Sequence, residues 1–96
     1  MFEVRQHPVF AAWLDALRDM STQALIGRRI DRLEAGLLGD VKFVGAGVRE
    51  LRINHGPGFR VYFVQRGSAL IILLCGGDKG SQRSDIARAI QLAQEV

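Results

Sequence analysis

Ninety-six residues (10.6 kDa), 48% hydrophobic and 24% charged, suffice for one small domain spanning 1–96 and exclude a disordered chain. One cysteine excludes a disulfide framework or multi-cysteine zinc site, the distant His7 and His55 make no metal-ligand pattern, and no apolar run is long enough to span a membrane. The net charge of +3 rests on eleven arginines and two lysines, a bias that mildly favours a phosphate ligand because arginine grips phosphate as a planar fork.

The start, Met1-Phe2-Glu3-Val4-Arg5, has no basic region leading into an apolar stretch, so a signal peptide is not expected and a cytoplasmic location is. Phe2 to Arg5 alternates like a short strand. Pro8 suits the first turn of a helix. Phe10, Trp13, Leu14 and Leu17 then make one helical stripe, with Trp13 read as core. Asp19 and Ser21 mark a stop and restart and are candidate caps. Ile26, Ile30, Leu33 and Leu37 form a second stripe, ended by Gly36 and Gly39, so a helical hairpin is expected.

The pattern then changes to strands: Val41–Val44, Val48–Ile53, Phe59–Gln65 and Ala69–Cys75. They are separated by Gly45-Ala46-Gly47, Asn54-His55-Gly56-Pro57-Gly58 and Arg66-Gly67-Ser68. The last strand does not alternate and is expected to be central. A final helix carries Ile86, Ile90 and Ala93, with Ser81 or Ser84 as its cap. The order β-α-α-β-β-β-β-α with short turns predicts an α+β fold: a largely antiparallel sheet with helices on one face.

Charge is unevenly spread. Residues 1–40 sum to −1, residues 41–80 to +4 and residues 81–96 to zero. A basic middle of this kind is either an ordinary solvated face or a binding surface. The 54–58 turn decides which side chains meet there. Pairing Ile53 with Phe59 sets Leu51 opposite Val61 and Arg49 opposite Phe63 on the core side. Arg52 then faces Arg60, Glu50 faces Tyr62 and Val48 faces Val64 on the expected outer side. Like charges directly opposed are destabilising. They make sense if an anion such as phosphate bridges them, or if the arginines splay or Glu50 neutralises one. Lys79 reaches the same face if the last two strands are neighbours.

Other candidates are weaker. Gly76-Gly77-Asp78-Lys79-Gly80 lacks the spacing of a nucleotide-binding phosphate loop. Cys75 reads as a buried hydrophobe and His7 as structural. His55 is either an acid–base group beside the arginines or an inert turn histidine. Tyr62 either stacks on a base or packs against Glu50.

Three strings carry a resemblance: Gly45-Ala46-Gly47-Val48-Arg49-Glu50-Leu51-Arg52-Ile53, Gly56-Pro57-Gly58-Phe59-Arg60-Val61-Tyr62-Phe63 and Leu73-Leu74-Cys75-Gly76-Gly77-Asp78-Lys79. With Trp13-Leu14, Arg29-Ile30 and Gly39-Asp40 they resemble the RelE/ParE toxin superfamily, and within it the HigB-like "addiction module killer protein" group. The resemblance covers almost the whole chain. It implies the toxin of a type II toxin–antitoxin pair, two N-terminal helices packed on an antiparallel sheet, and ribosome-dependent cleavage of mRNA by attack of a ribose 2′-OH on the adjacent phosphate. It implies no metal and no cofactor. Arg60 matches the family's transition-state arginine. Lys79 and Arg52 fall where the family carries basic residues. Arg49, Tyr62, His55, Gln82 and Arg83 are the expected RNA contacts. The family's C-terminal tyrosine has no match, since no aromatic residue follows Phe63. Glu50, His55 and Asp78 are the acid–base candidates. The other branch of the superfamily, non-enzymatic inhibitors of DNA gyrase with the same fold, is the alternative function. Expected partners are a helix-turn-helix antitoxin, mRNA on the ribosome and, through the antitoxin, operator DNA. No membrane partner is expected.

Overall fold

A computed structural model describes residues 1–96 and places the elements in the expected order. They are β1 (Glu3–Gln6), α1 (Pro8–Ala16), α2 (Met20–Glu34), β2 (Val41–Gly45), β3 (Val48–Ile53), β4 (Phe59–Arg66), β5 (Leu70–Gly77), a 3₁₀ turn (Lys79–Ser81) and α3 (Gln82–Ala93). The helix starts are made locally. His7 caps α1 by accepting from the Val9 amide, with Pro8 following it, and Asp19 caps α2 by accepting from the Ser21 amide. Gln23 donates to the carbonyls of Leu14 and Leu17, fastening α2 to the end of α1. Helix α2 is shorter than its stripe. It stops at Glu34, Gly36 turns the chain at φ +86°, and Leu37 is exposed rather than core.

The sheet order is β1-β5-β4-β3-β2. Strands β2 to β5 form antiparallel hairpins, but β1 pairs parallel with β5, so the sheet is mixed. Short turns dictate antiparallel neighbours only for strands they join. β1 meets β5 after the rest of the chain has intervened. The expectation of helices on one face is also corrected. Phe10 of α1 and Ile26, Ile30 and Leu33 of α2 pack on Leu51, Ile53, Val61, Phe63, Ile71 and Leu73. Across the sheet, Ala89, Leu92 and Ala93 of α3 pack on Val48, Tyr62, Val64, Leu74 and Cys75. The central strands are apolar on both faces, so a one-sided cover would have left half of them in water.

The β3–β4 register is the expected one, from Ile53 opposite Phe59 to Arg49 opposite Phe63. Strand β5 carries a bulge. Leu73 pairs with Phe63 and Cys75 with Tyr62, which leaves Leu74 as the extra residue. Leu74 and Cys75 therefore both point toward α3, and the shifted register sets Gly76 opposite Val61 and Gly77 opposite Arg60.

Candidate functional site

Arg52 and Arg60 are cross-strand partners at the turn end of the β3–β4 hairpin, one pair from the 54–58 turn. Because β5 neighbours β4, the chain leaving β5 brings Lys79 to the same end, where its amide donates to the Pro57 carbonyl at 3.4 Å. The three cations line one open cleft of about 290 Å³ with Asp40, Ile53, Asn54, Gly58 and Phe59. Gly58 shapes its floor. It has φ +80°, its carbonyl accepts from Arg60 Nη1 at 2.7 Å, and a Cβ there would sit 3.3 Å from that nitrogen.

The opposed arginines are not left to repel. Glu50, fully buried between them, accepts from Arg52 Nε at 2.9 Å through one oxygen. Its other oxygen lies 3.7 Å from Arg60 Nε and accepts from the Tyr62 hydroxyl at 3.0 Å and from Gln82 Nε2 at 2.9 Å. Burial alone would raise the Glu50 pKa, but the bonds from Arg52, Gln82 and Tyr62 outweigh it and hold the carboxyl below its ordinary value. Tyr62 is pushed well above its ordinary range, first by burial and then by its bond to Glu50, so it stays protonated and donates. Arg60 is only 8% exposed, and its Nε has no hydrogen-bond partner in the protein. With Glu50 and Asp40 set against Arg52, Arg60 and Lys79, the cleft region keeps a net charge of +1. That arrangement is built to receive an anion.

The remaining expected site residues are elsewhere. Tyr62 is not on an outer face. Helix α3 covers that side of the sheet, so the ring is fully buried and presents nothing for a base to stack on. Glu50 is likewise sealed from substrate, because the same helix closes over it. Arg49 belongs to the opposite face, where its guanidinium lies 4.6 Å over the Phe43 ring and Nη1 reaches Gln65 at 3.4 Å. Asp78 caps the 3₁₀ turn by accepting from the Gly80 and Ser81 amides, which occupies its carboxylate locally. His55 is exposed but turned toward α2, 3.4 Å from Thr22 Oγ1, with its ring stacked on Phe59. Gln82 spends its amide on Glu50, and Arg83 is exposed on the first turn of α3. Ser81 stands at the N-cap of α3 but gives its hydroxyl to Asp85.

Asp40, Asn54 and Phe59 are cleft residues the sequence reading passed over. A signal for Asp40 was available. The β2–β3 register pairs Val41 with Leu51, and one further step sets Asp40 against Arg52, whose amide donates to the Asp40 carbonyl at 2.9 Å.

The fold and cleft define a small α+β protein with an anion-receptive site at one end of a mixed sheet. The chain belongs to the family described as "Phage derived protein Gp49-like (DUF891)", whose profile matches residues 12–96, a toxin-like addiction-module family. It is 45% identical over 94 residues to a Haemophilus influenzae protein described as "Uncharacterized protein", covering 98% of this chain and 95% of that one. No helix is long and apolar enough to cross a membrane.

Proposed function

We propose that this chain is the toxin of a type II toxin–antitoxin pair, of RelE/ParE type within the HigB-like group, and that its cleft cuts mRNA on the ribosome. The observation that carries the reading is the juxtaposition of Arg52, Arg60 and Lys79 around one opening, with Arg60 nine-tenths buried and incompletely bonded. The ribose 2′ oxygen attacks the adjacent phosphorus, the bond from phosphorus to the 5′ oxygen breaks, and the products are a 2′,3′-cyclic phosphate and a 5′-hydroxyl. Arg60 and Arg52 offset the charge that grows on the phosphoryl oxygens. Lys79, exposed on the cleft rim, can protonate the departing oxygen. Asp40 is the carboxylate that lines the cleft from an exposed position, and it accepts the 2′-OH proton in this scheme. Phe59 offers the cleft's aromatic surface in place of the buried Tyr62.

The test is primer extension on mRNA from cells expressing the protein. New 5′ ends at growth arrest are expected. Arg60→Ala should reduce cutting by about 100- to 1000-fold, the loss of one transition-state charge contact. Absence of new ends would overturn the enzymatic reading, and inhibited supercoiling by purified gyrase would replace it with the gyrase-directed one. The expected partner is a helix-turn-helix antitoxin encoded next to this chain's gene, which would bind operator DNA on behalf of the complex. Co-expression should restore growth and co-purify the pair.

A further inference from the structure

An ionised carboxylate sealed inside a small protein is an expensive choice. A hydrophobic residue opposite Tyr62 would pack with less desolvation, so a buried ion pair by itself is weak evidence for stability. Glu50 nevertheless sits fully enclosed on β3, in the next pair along the same face from the cleft arginines. Its contacts are unevenly placed on those arginines. It holds Arg52 through Nε, and it faces Arg60 on the Nε side. Arg60 Nη1 is taken by the Gly58 carbonyl. Both Nη atoms of Arg52 and Nη2 of Arg60 make no hydrogen bond within the protein. Arg52 is thus gripped at the base of its fork with both outer nitrogens available, whereas Arg60 is fastened at Nη1 by Gly58, keeps Nη2 available, and has the Glu50 carboxylate at ion-pair distance from its unbonded Nε. Tyr62 and Gln82 complete the carboxylate's bonds from the buried strand and from α3, which fixes Glu50 itself in one orientation.

We infer that Glu50 is the positioning residue of the cationic cleft: it aims the guanidinium groups of Arg52 and Arg60 at the RNA phosphate, so that losing its charge costs turnover and not affinity. The inference rests on the reading of the cleft as an mRNA-cutting site. Removing the carboxylate charge takes the local sum from +1 to +2. Attraction for a polyanion then rises while the directions of the forks are lost. A merely structural role predicts something different: either no effect, or affinity and turnover falling together with stability.

The experiment compares wild type with Glu50→Gln in single-turnover cleavage of mRNA on programmed ribosomes at saturating protein, alongside direct binding of a short single-stranded RNA. The expected result is a fall in the cleavage rate of about 30-fold or more with RNA affinity unchanged or tighter, the pattern of an interaction realised in the transition state. Side-chain Nε–Hε NMR signals of Arg52 and Arg60 should be resolved in wild type and broadened in Glu50→Gln. If Glu50→Gln fails to fold, Gln82→Leu removes one bond to the same carboxylate from a half-exposed position and should shift rate and affinity in the same pattern, more weakly. Unchanged cleavage, or parallel loss of rate and affinity in a folded variant, would overturn the inference. A wild type that never cuts would instead overturn the enzymatic reading. The NMR comparison then decides the positioning claim alone: unchanged arginine signals in Glu50→Gln would refute it.

Discussion

Glu50 concentrates the residue-scale energetics. Its carboxylate is enclosed and depends on each donor around it, so removing one donor leaves an unsatisfied charged acceptor, which is costlier than losing a neutral bond. Tyr62→Phe removes the hydroxyl that donates at 3.0 Å and leaves the ring's packing. A loss of about 1.5–3 kcal/mol is expected, measured as a lower midpoint in urea unfolding with an unchanged slope. The same carboxylate predicts a direction for pH. Its pKa is depressed in the folded protein, so its contribution to stability is complete above the ordinary carboxylate value. That contribution is lost as pH falls through the depressed one. Thermal midpoints should therefore decline on acidification below the ordinary glutamate range, and decline less steeply in Glu50→Gln. Equal acid slopes in the two proteins would show that other carboxylates dominate. Cys75, whose thiol burial pushes up to about 11, adds no reactivity and behaves as the hydrophobe its position implied.

Among the elements, β5 does the most positioning. Its bulge at Leu74 turns two consecutive side chains toward α3 and resets the pairing so that glycine, twice, closes the strand. Each glycine admits a neighbour on one face. A Cβ on Gly76 would fall 2.3 Å from the Trp13 ring, and one on Gly77 would collide with the Asp85 carboxylate. The indole cannot yield without leaving the contacts it makes with Phe10 and Phe59. Gly76→Ala is therefore expected to destabilise by about 1–3 kcal/mol through overpacking, with Trp13 fluorescence shifted in the folded state. An unshifted spectrum and an unchanged melting temperature would contradict that account. The register of the β3–β4 hairpin was readable from its turn and the alternation of its side chains, but the face expected to be outer is buried beneath α3. The bulge was not readable. The run Leu70–Cys75 is apolar throughout, so its pattern holds nothing to mark where one residue is added.

For the whole molecule, the relevant quantity is where charge survives. The protein carries +3 overall, but most exposed charge is dispersed, and the cleft concentrates three cations at one end. If these three contact phosphates of a single strand, the logarithm of RNA affinity should fall with the logarithm of salt at a slope of about −2. Titrations of a short RNA at several salt concentrations check this, and Lys79→Ala should flatten the slope by about 0.7. A slope near zero would mean that the cleft does not engage a polyanion. The two cores pack on either side of the sheet behind this end. Helices α1 and α2 brace the face that carries Phe59, and α3 roofs the face that carries Glu50.

The order of elements, the strand register around the 54–58 turn and the meeting of Arg52 with Arg60 are local or nearly local properties. Turn residues and side-chain periodicity are enough to set them, and the sequence alone determined them. Lys79 joined that pair on the condition that β5 lies beside β4, which short hairpins favour and the sheet order satisfies. Which face α3 covers, and with it the burial of Tyr62 and Glu50, was decided only by tertiary structure. Apolar alternation tells which side chains leave water, but when a strand is apolar on both faces it does not tell which element covers which side. Arg49 lies off the cleft by the alternation of β3 itself, and Asp40 enters it through the adjacent β2–β3 pairing, so these two placements are again nearly local.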